Sequence, residues 1–199
     1  MQDIKQFAEQ IHNSYKLKFT YRYSDRTFNG EKDSTAAHSW NMMIMADYFL
    51  NYLEEVSPWK YKLDKLKIYE YIMYHDLVEA EVWDIDRAPS GNEMRKTKDE
   101  LEAEWAILLS QKLPNFLGKK FLTTFHDYEK RESLESKFVK TIDVLEWHLQ
   151  CFFDKHMYEQ WTQDFFNKVS VRKEFDDFIE LKEVILSVEN HYAQNWFFK

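Results

Sequence analysis

Apolar residues return at steps of three and four along most of this chain, and short polar stretches holding the few Gly, Pro and Ser residues separate the runs. The spacing predicts about six or seven helices. The first covers about Ile4 to Leu17, with Ile4, Phe7, Ile11 and Tyr15 as its buried stripe. The polar segment TYRYSDRTFNGEKD follows and breaks at Asn29-Gly30. A second helix is expected to start at a cap within Asp33-Ser34-Thr35, to carry Met42, Met45, Phe49 and Leu53 inward, and to stop before Pro58. The third is expected over about Leu63 to Val82 and places Ile68, Ile72, His75 and Glu79 on one face. Further helices are expected over about Glu93 to Lys112, Phe116 to Tyr128, Leu134 to Phe153 behind a Ser133 cap, and Arg172 to Tyr192.

Composition narrows the fold class. With only three Gly and three Pro in 199 residues, the chain lacks the turn-formers of an all-β protein, and an all-α, single-domain bundle is expected over residues 1–199. A net charge of −8, with basic residues scattered among acids, excludes a general binder of nucleic-acid polymers. The N-terminal stretch alternates charged and apolar residues, unlike a signal peptide or a membrane span, so a cytoplasmic protein with no membrane partner is expected. The lone Cys151 excludes an intrachain disulfide and a Cys-rich zinc site.

The stretch YIMYHDLVEAEVWDID, residues 71–86, crowds acids against apolar and aromatic residues. Unpaired buried carboxylates cost several kcal/mol or take up a proton, and a bound cation removes that cost. His38, His75, Asp76 and Asp143, from three separate helices, offer two nitrogen and two oxygen donors with no thiolate. That set suits one divalent first-row ion: Mn, Fe, Co, Ni or Zn. Spacing alone does not select these four, because His12, His126, His148, His156 and His191 are rival ligands.

The ordered set AAHSW, YHDLVEAEVWD and ESKFVKTIDVLEW resembles the HD-domain phosphohydrolase superfamily, whose signature is a distant His, a His-Asp doublet and a later Asp. It is most similar to the branch holding bacterial 5'-deoxynucleotidases and their eukaryotic HD-domain relatives, over about residues 20–150. The resemblance implies an all-helical core and metal ligands at His38, His75, Asp76 and Asp143. It also implies a catalytic acid at Glu79, a second catalytic and substrate-contacting residue at Asp84, and a pocket segment continuing through Ile85, Asp86 and Arg87. Arg22-Tyr23 matches the family's Arg-aromatic pair, and an Arg can fork onto a phosphate. Arg26 and Arg87 are rivals for that role. Trp83 stands where relatives carry Gly, Tyr23 where they carry Trp, and Ala37 where an acid often precedes the metal His.

The activity this implies is metal-assisted hydrolysis of the 5'-phosphate of a nucleoside or deoxynucleoside monophosphate. The divergent WDIDR loop keeps another phosphate ester open: a dNTP, a cyclic nucleotide or an alarmone. A non-catalytic ligand-binding protein built on the same shell is the third reading. The charge run KTKDELEAEW, residues 96–105, reads as a solvated helix face, and the methionines near Trp40 as core packing. An 18% aromatic content and the apolar ending Trp196, Phe197, Phe198 make a homodimer a further expectation.

Overall fold

The chain was analysed as a computed structural model, which describes residues 3–22, 31–82, 91–153, 162, 164 and 173–195. Helix α1 spans Ile4–His12 and passes into a 3-10 turn, Asn13–Lys18. Helix α2, Thr35–Val56, starts at Ser34, whose hydroxyl oxygen accepts from the Ala37 N–H at 3.2 Å, and ends two residues before Pro58, with Ser57 as its C-cap. Helix α3, Lys65–Tyr74, is capped by the Asp64 carboxylate, which accepts from the Lys67 N–H at 3.2 Å. A short α4, Glu79–Val82, follows. Then come α5, Gly91–Lys112, and α6, Asn115–Glu129, joined at Leu113-Pro114. Helix α7, Leu134–Gln150, is capped by Ser133 and runs into a 3-10 turn, Cys151–Phe153. A 3-10 turn, Lys173–Asp177, leads to α8, Ile179–Gln194.

The core sits where α2, α3 and α7 meet, closed by α8 and the turn before it. Met42, Phe49 and Leu53 of α2 meet Ile68 and Ile72 of α3, Phe138, Ile142 and Leu145 of α7, and Phe178 and Leu181 beside them. Each such side chain contributes roughly 1.5–3 kcal/mol on leaving water. A second cluster joins Tyr74, Leu77 and Val78 to Ala106 and Leu109 of α5 and Phe121 and Phe125 of α6. The end of α3 lies between the two clusters, so the residues that follow it are clamped from both sides. An isolated antiparallel bridge pairs Tyr21 with Ser34, with the Arg22 N–H on the Asp33 carbonyl and the Thr35 N–H on the Thr20 carbonyl, both at 2.9 Å. It pins Arg22 beside the start of α2. No helix among the described residues is long and apolar enough to cross a membrane.

Five expectations need correcting. Ile4, Phe7 and Tyr15 are 77%, 41% and 48% exposed, and Ile11 is half-buried, so the expected stripe is not core. Helix α1 packs mainly on the turn that follows it, and that turn meets α2 and α4. The third helix is not continuous. After α3 the chain tightens, with the N–H groups of Leu77, Glu79, Ala80 and Glu81 bonding carbonyls three residues back rather than four. The C-terminal helix is broken at Phe178, which is fully buried between the 3-10 turn and α8. In the charge run, Glu100 and Glu104 face water but Glu102 is buried, one turn before Ala106 on the face that continues to Leu109. Met45 is half-buried, the deeper positions of α2 being Met42, Ala46, Phe49, Leu50 and Leu53.

Candidate metal centre

His38 is fixed by the way α2 begins. Its N–H makes the first helical bond, 2.9 Å to the carbonyl of the cap residue Ser34, and its ring is wholly buried. His75 stands at the other end of an element, as the C-cap of α3, with its backbone N–H 2.8 Å from the Tyr71 carbonyl. Its Nδ1 lies 2.8 Å from the Ile72 carbonyl oxygen, which can only accept, so Nδ1 carries a proton and the Nε2 edge is the one left to face the centre. Asp76 follows at once. Asp143 comes from the middle of α7, where the Lys140 ammonium one turn earlier donates to its Oδ2.

These side chains converge. One ligand atom from each of His38, His75 and Asp76 lies within 4.8 Å of the other two. Asp76 Oδ2 is 3.1 Å from His75 Nε2 and 3.7 Å from His38 Nε2, while Asp143 Oδ1 is 3.4 Å from His38 Nε2. Both Nε2 atoms are buried without a hydrogen-bond partner. Leaving two such nitrogens unsatisfied is costly, and a cation among them would use both lone pairs. The residues present therefore fit a divalent ion.

Electrostatics make the same demand. Burial and the nearby Arg22 charge push the His38 imidazolium down, but the Glu146 and Asp143 carboxylates outweigh them and raise it to about 9. Burial opposes ionisation of Asp76, yet His75, His38 and Arg22 hold it well below the usual carboxylate range. Burial likewise opposes ionisation of Asp143, and Lys140, His38 and Arg22 hold it well below that range. The centre keeps its acids ionised and draws positive charge to the histidine between them. A bound ion would meet the same need while freeing His38 to act as a ligand.

Comparison with known proteins decides the family. The family model described as HD domain matches residues 14–180. The chain belongs to the HD-domain family. Its curated HD relatives include proteins named 5'-deoxynucleotidase HDDC2. The one from Bos taurus is 30% identical over 151 residues, which are 75% of this chain and 68% of that protein. The one from Homo sapiens is 27% identical over 151 residues, 75% of this chain and 69% of that one. The same HD fold is seen in a protein described as a predicted metal-dependent phosphohydrolase from Magnetospirillum magnetotacticum. That chain is 18% identical, with a TM-score of 0.74 and coverage of 98% of this chain and 95% of its own. An HD-domain phosphohydrolase from Listeria innocua gives a TM-score of 0.64 at 16% identity, over 94% of this chain and 85% of its own.

Within this HD centre, Glu79 is 5% exposed, and one of its oxygens accepts from the Thr35 hydroxyl at 3.0 Å. Thr35 lies one turn before His38, so the start of α2 holds both the histidine and the acid. Arg22 is half-buried, and its charge is felt at Asp33, His38, Asp76 and Asp143. Tyr23, Asp84, Ile85, Asp86 and Arg87 lie outside the described residues, as do the rivals Arg26 and His156. Among the described residues, His12, His126, His148 and His191 are not part of the group. Sequence reasoning missed two neighbours, Thr35 and Glu146. The available signal for Glu146 was a carboxylate one turn after Asp143, between the apolar residues Leu145 and Leu149.

Proposed function

We propose that this chain is a metal-dependent phosphohydrolase that removes the 5'-phosphate from ribonucleoside or deoxyribonucleoside monophosphates. The observation that carries the reading is the buried meeting of His38, His75 and Asp76, with two histidine nitrogens left unbonded. The HD relatives named 5'-deoxynucleotidase support the substrate class. His38 Nε2, His75 Nε2 and the carboxylates of Asp76 and Asp143 would hold the ion, which is Mn, Fe, Co, Ni or Zn by the hardness of these donors. When bound, such an ion polarises a phosphoryl oxygen and lowers the pKa of water beside it.

The chain's own groups supply the rest. Water attacks phosphorus, the P–O5' bond breaks with its electron pair on the 5'-oxygen, and that oxygen gains a proton, giving nucleoside and inorganic phosphate. Glu79, held by Thr35, is placed to carry a proton to the departing oxygen or from the attacking water. Arg22 binds the phosphate through its paired N–H groups. Asp84 orients water or sugar, and Tyr23, Ile85, Asp86 and Arg87 line the nucleoside side in this reading.

The test is phosphate release by the purified, metal-loaded chain across a panel of nucleoside monophosphates, with dNTPs, cyclic nucleotides and an alarmone alongside. Release from monophosphates supports the proposal. Turnover confined to the other esters would move the substrate class and leave the metal chemistry in place. A chain that takes up metal but hydrolyses nothing on the panel would overturn the activity.

A further inference from the structure

We infer that Glu146 is a positioning residue for the metal centre: its carboxylate holds the His38 ring with the proton on Nδ1, turning the Nε2 lone pair toward the candidate ion. The inference rests on the metal reading above. It starts from the register of α7, where Asp143 and Glu146 are three residues apart and share a face. Asp143 reaches His38 from the Nε2 side at 3.4 Å, and Glu146 reaches it from the Nδ1 side at 2.8 Å. One helix thus grips both edges of one imidazole.

A carboxylate oxygen only accepts from a neutral imidazole, so the 2.8 Å contact fixes which nitrogen keeps the proton. The other nitrogen is the one buried without a partner. His75 reaches the same state by a different device, the backbone carbonyl of Ile72. A ligating histidine whose far N–H meets a carboxylate is held in orientation and made more basic, and losing that partner typically costs about 10- to 100-fold in metal affinity or activity. Packing does not account for Glu146. It is 3% exposed beside a wholly buried ring, and taking such a pair out of water costs several kcal/mol that an apolar side chain of similar size would not incur.

The experiment uses the full chain, stripped with a chelator and titrated with Mn(II) by calorimetry, as wild type and as Glu146→Leu, which removes the acceptor at similar size. Affinity in the variant is expected to fall roughly 10- to 100-fold, and the rise in Tm that Mn(II) gives the wild type is expected to shrink. A purely structural role would instead lower the metal-free Tm and leave the metal-induced rise and the affinity intact, which would overturn the inference. Should the variant fail to fold, 15N NMR of histidines in the Zn(II)-loaded wild type decides the matter. A proton on His38 Nδ1 with the metal on Nε2 supports the inference, and the opposite arrangement overturns it. Wild type that takes up neither ion would bring down the metal reading together with this one, whereas wild-type binding matched by the variant brings down this inference alone.

Discussion

In the proposed reaction Glu79 serves the fold and the chemistry together. It is buried, and the bond it accepts from Thr35 ties α4 to the start of α2. Glu79→Gln keeps the shape and can keep that bond, but cannot carry a proton at neutral pH. The expected result is a fall in kcat of about 100-fold or more, within the range for loss of a general acid or base, with Mn(II) affinity within a few-fold of wild type. Steady-state kinetics beside calorimetry check both, and unchanged kcat would remove Glu79 from the mechanism. A residue with no part in the site gives a contrasting case. Trp59 has φ 70° and is 93% exposed, in a turn where the Lys60 N–H bonds the Ser57 carbonyl at 3.2 Å and Pro58 fills the second position. That third position favours Gly, because a Cβ at positive φ costs roughly 1–2 kcal/mol. Trp59→Gly is therefore expected to raise stability by about 0.5–1 kcal/mol, the greater freedom of the unfolded chain taking back part of the gain. A thermal melt tests it, and a lower Tm would show that the indole contributes more than its exposure suggests.

Among the elements, α2, α5, α6 and α7 were legible because strong local signals bound them: Ser34 and Ser133 as caps, and Pro58 and Pro114 as stops. The break between α3 and α4 was not. Residues 63–82 carry an unbroken helical pattern, and only the packing of the α3 end between two apolar clusters selects the tighter turn that begins at the His-Asp doublet. Helix α1 misled for the opposite reason, since its amphipathic pattern is clear while the fold gives its apolar face little to cover it. Close helix contact is equally hard to read from sequence. At Gly118 a Cβ would stand 2.0 Å from the Ser110 carbonyl oxygen, so α6 reaches α5 only because no side chain intervenes. Gly118→Ala must push the helices apart, and a loss of about 1–3 kcal/mol is expected despite the better helix propensity of Ala. Chemical denaturation measures it, and a neutral result would mean that α5 and α6 slide freely. The first turn of α8 supplies an acid-sensitive tie. Glu180 accepts from the Ser57 hydroxyl, from Tyr61 Oη at 2.6 Å and from Lys60 Nζ at 2.9 Å. Burial resists its ionisation, but these three donors hold it at about 2, against an ordinary value of 4.5. The unfolded chain then binds the proton first, so this contribution is complete above about pH 4.5 and is lost as pH falls toward 2. Denaturation midpoints taken between pH 5 and 2 should fall less steeply in Glu180→Gln than in wild type, and equal slopes would sink the assignment.

For the whole molecule, the candidate site draws together residues 38, 75, 76 and 143, whose convergence no local pattern encodes; the order of His, His-Asp and Asp pointed to them only through family resemblance. Glu146 and Thr35 were hidden because what marks them is contact across the fold, not position in a motif. That convergence also links ligand binding to folding. An unfolded chain scatters the four proposed ligands, so an ion that needs all of them would bind the native state and stabilise it by RT ln(1 + [L]/Kd), about 2.7 kcal/mol at a hundredfold excess over Kd. For a chain of this length, that is a rise in Tm of roughly 5–10 °C. Mn(II) should produce the rise, excess chelator should abolish it, and Mg(II), which dehydrates reluctantly and avoids nitrogen donors, should give far less at equal concentration. Asp143→Asn separates a ligand from a bystander: it leaves the His38, His75 and Asp76 group in place but removes one anionic donor. Its metal-induced rise should therefore be smaller than that of wild type, while an undiminished rise would leave Asp143 as the partner of Lys140 and His38 and nothing more.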